Sequence, residues 1–251
     1  MSEFAAGPAG RIERVRALMV ERGYDAIVVR DEANLRWLTG VKGVFDYTFE
    51  FPHAAFITAD QCLFHTDSRY LNSFEENTPA GSPWVYDMDE GTIPGWVAGK
   101  IAANKCRVCA VEDDMQINFY QGIQRGLEDR SVACMLPLMH ADIRKMRAIK
   151  DAEEIELMRH AQSITDAAFQ HMLGYIKPGM TEKQVRNELE NFMFANGADS
   201  LAFGSIVASG PNTANPHAVP SDRVIEKGDF VLMDYGAGYC DYRSCLLYTS
   251  D

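Results

Sequence analysis

An α/β domain followed by an α+β domain is the architecture that this sequence predicts, on three observations. Residues 1–142 alternate helical periods with short apolar runs, the pattern of helices laid on a sheet. Residues 143–251 change texture: two long amphipathic helices come first, and strand-like runs follow. With 47% apolar residues in a chain of 251, each part holds enough material for a core of its own.

In chain order, Ile12, Val15, Leu18 and Met19 recur at helical spacing and stop at Gly23, which predicts a helix over 11–23. The continuous apolar run AIVV at 26–29 suits a buried strand. AAFITA and CLFHTD read as paired strands about a turn at Ala59 to Gln61. IPGWVAGKIAANK then reads as a helix, CRVCAVE as a strand, QINFYQGIQRGL as a helix and SVACMLPL as another strand. After Ala141, Asp151 and Glu154 form an N-terminal cap pair for a helix whose apolar face is Leu157, Ala161, Ile164, Ala168 and Met172, ahead of Gly174. KPGM makes a turn, Thr181 and Gln184 make a capping box, and Val185, Leu189, Phe192 and Met193 keep the helical period up to Asn196 and Gly197. FGSIVASG and DFVLMDYG are strand-like, and GYCDYRS is a return strand after a glycine-containing turn.

The composition excludes some functions. Lys plus Arg number 24 against 36 Asp plus Glu, a formal net charge of -12, which opposes binding to a phosphate backbone, so no nucleic-acid partner is expected. The opening MSEFAAGPAGRIERV lacks the apolar core of a signal peptide, and no run reaches the about 18 apolar residues of a membrane span. A cytoplasmic chain with no membrane partner is the expectation. The six cysteines are irregularly spaced, which argues against a disulfide framework. Cys106 and Cys109 form a CxxC, but positions three apart on a strand face opposite sides, and neither a zinc nor a redox role is expected.

Two residues stand out as candidates for chemistry. Asp234 ends an apolar strand on which Phe230, Leu232 and Asp234 share a face, and a carboxylate there is costly unless it is paired, binds a cation or caps a surface turn. His217 lies in SGPNTANPHAVPSDR, a loop stiffened by Pro211, Pro216 and Pro220, where an imidazole either is held over a cleft to donate a hydrogen bond or is simply solvated. His53, His65, His140, His160 and His171 show no ligand spacing and read as structural or solvated.

Taken together, IRKMRAIKDAEEIELMRHAQSITDAAF, KPGMTEKQVRNELENFMFANGADSLAFGSIVASGPNTANPH and KGDFVLMDYGAGYCDYRS closely resemble the pita-bread metallopeptidases, and within them the Xaa-Pro aminopeptidase (aminopeptidase P) and prolidase branch. DEANLRWLTG and FHTDSRY are similar to segments of that family's creatinase/prolidase-type N-terminal domain. The resemblance runs from about Arg11 to Ser244. It implies a creatinase/prolidase-like α/β domain over 1–142 and an incomplete α+β pita-bread domain over 143–251. It also implies hydrolysis of Xaa-Pro bonds in proline-containing peptides, and a homodimer. Two divalent ions, manganese, cobalt or zinc, are implied as well, held by two Asp, one His and two Glu, to activate a bridging water and polarise the scissile carbonyl. By position Asp234 matches the first metal-binding Asp of the family, and His217 matches the catalytic histidine that contacts substrate and steadies the tetrahedral intermediate. Creatinase-like C–N hydrolysis and a non-catalytic binding or scaffold role are the alternatives on the same fold.

The pattern is lost after Ser244. Where the family carries its second Asp, in a segment resembling YRSDxTRT, this chain has Cys245, and CLLYTSD runs to Asp251. Residues 245–251 are expected to be foreign, because CLLYTS is the translation of the sequencing-adapter string TGTCTCTTATACACATCT and a following GAC gives Asp251. Of the five family ligands only Asp234 is then present. The chain by itself is expected to hold no metal pair, to be inactive, and to leave apolar faces of its second domain unpaired.

Overall fold

The helical period that begins at Ile12 becomes α1 (Gly7–Arg22), which buries Ile12, Val15, Leu18 and Met19. The computed structural model describes residues 7–44, 51–88 and 91–250, the last two by backbone alone. They form two units, Met1–Ile149 and Lys150–Asp251.

In the first unit, β1 (Ala26–Val29) leads to α2 (Glu32–Thr39), an element without a periodic signal in the sequence and therefore not foreseen. Its ends explain it: Asp31 Oδ1 accepts from Asn34 N at 2.8 Å, and Gly40 closes the helix at φ 67°. A Cβ at Gly40 would also sit 2.7 Å from Pro8 Cγ, so both dihedral and space demand glycine there. The paired strands follow as β2 (Ala54–Thr58) and β3 (Cys62–His65), then α3 (Leu71–Asn77), β4 (Val85–Asp87), α4 (Ile93–Ala103), β5 (Cys109–Val111), α5 (Ile117–Asp129) and α6 (Asp142–Ala148). The sheet order is β4-β3-β2-β1-β5, with β1–β2 and β2–β3 antiparallel and β1–β5 and β3–β4 parallel.

The AIVV run is continuous because both faces of the sheet are covered. Ile27 and Val29 pack with Ile12, Val15, Leu35 and Leu38, and α6 joins this core through Ile143. Ala26 and Val28 pack on the other face with Trp96, Ile101, Ile123 and Leu127. Two expectations change here. SVACMLPL makes isolated parallel bridges, Val108 to Met135 and Val111 to Leu138, in place of a strand. Cys106 precedes β5, and it lies in the same apolar cluster as Cys109 instead of on the opposite side.

The second unit begins with α7 (Ala152–Tyr175), opened by a capping box of Asp151 and Glu154 and continuing one residue past Gly174. A second box, Thr181 with Gln184, opens α8 (Glu182–Ala195). β6 (Ser200–Leu201), β7 (Ile206–Ser209), a 3₁₀ turn (Gly210–Ala214), β8 (Val231–Tyr235), β9 (Ala237–Tyr239), β10 (Tyr242–Arg243) and β11 (Leu246–Ser250) complete it. Two three-stranded sheets result, β10-β9-β6 and β11-β8-β7, with every neighbour antiparallel. The core joins Ile164, Ala168 and Met172 of α7, Val185, Leu189 and Met193 of α8, and Val231, Met233 and Tyr235 of β8. The buried face of β8 is therefore the one opposite Asp234, and Phe230 at its start is exposed. Among the described residues no helix is long and apolar enough to cross a membrane.

Candidate functional site

Asp234 stands near the end of β8, flanked in register by Ile206 on β7 and Leu247 on β11. Its side chain is half-buried, on the face away from the core, so the carboxylate keeps some solvent and is not stranded in apolar packing. What faces it comes from eleven residues downstream: Cys245 Sγ lies 3.7 Å from Asp234 Oδ1. Burial and the neighbouring charge of Asp234 together push the Cys245 thiol above its ordinary value.

A buried knot fixes that approach. Thr165 Oγ1 on α7 and Ser244 Oγ lie 2.6 Å apart, and both accept from Ala237 N at 3.0 Å. Ser244 N in turn donates to Ala237 O at 3.0 Å. The strand exit at Gly236 passes so near this knot that a Cβ there would lie 2.0 Å from Ser244 O. Glycine lets the backbones touch, and Ser244 then sets position 245 beside Asp234. Between α7 and this segment lies a cleft of about 400 Å³ lined by Ile155, Met158, Arg159, Gln162, Arg243 and Cys245.

The loop bearing His217 is held from elsewhere. Glu182, in the first turn of α8, is fully buried, and its carboxylate takes five hydrogen bonds. Ser209 N (2.7 Å), Ser209 Oγ (2.9 Å) and Asn212 Nδ2 (3.0 Å) donate to Oε1, while Ser221 N (3.0 Å) and Ser221 Oγ (2.6 Å) donate to Oε2. Burial pushes this carboxyl up, but the donors, Ser221 and Asn212 foremost, outweigh it and hold the group below its ordinary value. Arg223 extends the network, donating from Nη1 to Ser209 Oγ at 2.6 Å and to Asp229 Oδ2 at 2.7 Å.

Between the clamped ends, His217 N donates to Asn215 Oδ1 at 3.1 Å, closing an Asx turn. The His217 ring is exposed and has no hydrogen-bond or ion-pair partner among the described residues. The fold thus brings Asp234 and Cys245 together and joins His217 to neither by a hydrogen bond. Glu182 escaped the sequence reading because its position is fully accounted for by a helix start, and its partners lie 27 to 39 residues downstream.

The other histidines divide by burial. His53 sits among Phe51, Phe64, Tyr70 and Phe74, with Nδ1 3.1 Å from Thr66 Oγ1, and burial lowers its pKa to about 4. His65 is buried as well, and His171 pairs with Glu188 at 2.6 Å.

Among the described residues no group of three or more His, Cys, Asp or Glu is placed to hold a metal ion. Asp234 and Cys245 supply one carboxylate and one thiol, whereas two divalent ions at close range need several oxygen ligands to offset their repulsion and lost hydration. The described residues do not fit a two-ion centre.

Comparison with known proteins covers both units. Residues 11–149 match the Creatinase/Prolidase N-terminal domain and residues 156–250 match Metallopeptidase family M24. An uncharacterized peptidase of Bacillus subtilis, YqhT, is 32% identical over 246 residues, which are 95% of this chain and 64% of that protein. The Xaa-Pro dipeptidase of Pyrococcus furiosus is 42% identical over 107 residues, 43% of this chain and 31% of that one. Among solved structures, the Xaa-Pro dipeptidase from Bacillus anthracis superposes with a TM-score of 0.83 at 33% identity, covering 97% of this chain and 64% of that one. An X-Pro aminopeptidase from Thermotoga maritima gives 0.80 at 27% identity, covering 96% and 64%. The chain thus spans 64% of the length of relatives that it matches nearly end to end.

Proposed function

This chain belongs to the creatinase/prolidase family, a Creatinase/Prolidase N-terminal domain joined to a domain of Metallopeptidase family M24, and from that premise we propose that it is part of a metal-dependent peptidase of Xaa-Pro bonds. One observation carries the reading: similarity to Xaa-Pro peptidases of known structure extends over 97% and 96% of the chain, through both units, so it is not the mark of a shared domain alone. The substrate would be a proline-containing peptide, and the whole protein a cytoplasmic homodimer with neither nucleic acid nor membrane as partner.

In that protein Asp234 would contribute one carboxylate to a centre for manganese, cobalt or zinc, which supplies Lewis acidity when bound. His217, on a loop clamped at both ends, would donate a hydrogen bond to the substrate carbonyl and to the oxyanion that develops from it. No hydrolytic step falls to the 251-residue chain, because among the described residues no metal-binding group forms at Asp234 and Cys245 is what faces it. Residues 245–251 are proposed to be foreign to the protein, with an Asp at position 245 in the native sequence.

The test pairs two proteins with one assay, release of the first residue from an Xaa-Pro peptide and cleavage of an Xaa-Pro dipeptide in the presence of manganese. No release is expected from this chain. Release is expected from the protein encoded by the source locus when codon 245 reads Asp and the frame continues. Turnover by the chain itself would refute its inactivity, and an inert longer protein would refute the peptidase reading. The thiol beside Asp234 favours a second reading, a non-catalytic binding protein on the same fold, which takes the lead if the locus natively encodes Cys245.

A further inference from the structure

Glu182 occupies a place that helix capping already explains without it. Thr181 Oγ1 accepts from Gln184 N at 3.2 Å and Gln184 Oε1 accepts from Thr181 N at 2.8 Å, so the box is complete and the Glu182 side chain is not needed for the helix start. A carboxylate with no exposed surface is nevertheless costly to bury, and it persists only where its lone pairs are filled. Here five donors fill them, and they come from two places in the chain, Ser209 with Asn212 and, beyond the Asn215, Pro216 and His217 segment, Ser221. The helix backbone binds the same region, through Lys183 N to Ser221 O at 3.2 Å and Glu182 N to Arg223 O at 3.1 Å.

Between those ends the internal bonds are local. Thr213 Oγ1 donates to Gly210 O at 2.7 Å, and Asn215 N and Ala218 N each donate back three residues at 3.1 Å. Such turns shape the loop but do not tie it to the rest of the unit. The near end is further crowded: a Cβ at Gly210, whose φ is +49°, would lie 2.5 Å from Asp229 Oδ1 and 2.6 Å from Arg223 Nη2, so the Arg223–Asp229 pair packs directly on the backbone there. Ser209 Oγ donates to Glu182 while accepting from Arg223, which links the two charged groups through one hydroxyl.

We propose that Glu182 is the positioning residue for His217: its carboxylate gathers both ends of the 209–221 loop onto α8 and so fixes where the imidazole stands. The role in catalysis rests on the peptidase reading above, while the positioning itself does not. Gln at this site keeps the shape but turns one oxygen into an N–H donor, and whichever way the amide lies, Ser209 N or Ser221 N loses its acceptor.

The experiment is residue-resolved NMR of the chain, without metal or substrate, on Glu182→Gln and on Ser221→Ala, which removes a single hydroxyl and tests the same link if the first variant does not fold. In Glu182→Gln the amides of the loop are expected to exchange at least ~10-fold faster, with the amides of Ile164, Ala168 and Met172 in α7 unchanged. The backbone amide signal of His217, whose N–H closes the turn on Asn215 Oδ1, is expected to move toward its unstructured position while the ring signals of the other five histidines stay in place; Ser221→Ala shows the same changes, smaller. An unmoved His217 signal in a folded variant overturns the proposal. So does loss of α7 protection in step with the loop, which would make Glu182 a general fold residue. If the loop loosens as expected while the full-length protein shows no peptidase activity, the positioning stands and only the reaction is wrong.

Discussion

Glu112 offers a quantitative test of the first unit. It follows β5, is 4% exposed, and takes hydrogen bonds from Arg30 N (2.5 Å), Asp31 N (2.7 Å) and Asn34 Nδ2 (2.7 Å), pinning the start of α2 to the sheet. Burial pushes its carboxyl up from 4.5 to about 7, against the pull of those three donors. The folded state therefore holds this proton more tightly than the unfolded state. The stabilisation is complete below pH 4.5, declines as pH rises and is gone above about pH 7. At 1.36 kcal/mol per pH unit the loss amounts to about 3 kcal/mol. Trp37, Trp84 and Trp96 are the three tryptophans of the chain, and all are buried in this unit, so denaturant unfolding followed by their fluorescence reports on it selectively. Glu112→Gln does not titrate and serves as the reference. Wild-type stability relative to the variant is expected to fall by about 3 kcal/mol between pH 4.5 and pH 8. A flat difference would refute the dominance of burial, and a difference growing with pH would mean that the three N–H donors decide the protonation state.

Two further outcomes are expected in the second unit. Asp234→Asn removes a charge 3.7 Å from Cys245 Sγ, so alkylation of Cys245 at neutral pH, followed by peptide mass spectrometry, should speed up by about threefold to tenfold; an unchanged rate would separate the two groups. Gly236→Ala forces a Cβ to within 2.0 Å of Ser244 O, and the resulting backbone shift should cost about 2 kcal/mol or more, read as a lower denaturation midpoint by circular dichroism; a midpoint equal to wild type would show that the Ser244 knot yields freely.

Much of the helical framework was legible because its signals are local. The capping boxes at Asp151 and Thr181 lie within four residues of sequence, and the apolar periods of α1, α7 and α8 repeat without reference to anything distant. The short elements were not legible: α2 depends on one Asp and one Gly at its ends, and residues 131–138 look like a strand yet form only scattered bridges. Periodicity also left open which face of β8 is buried, since a two-residue alternation has no sign until a core is chosen.

By itself the sequence determined the family, the long helices α1, α7 and α8, the two candidate residues Asp234 and His217, and the break in pattern at Cys245, all of which rest on residue identity and near-neighbour spacing. Only the tertiary structure decided that Cys245 meets Asp234, that Ser244 and Thr165 hold it there, and that Glu182 clamps the loop of His217. The physical reason is the same in each case. Each contact is made by folding between distant residues, and for Thr165, Ser244 and Glu182 burial demands that it be made; the partners lie 11, 79, 27 and 39 residues away, a separation over which spacing carries no information about contact.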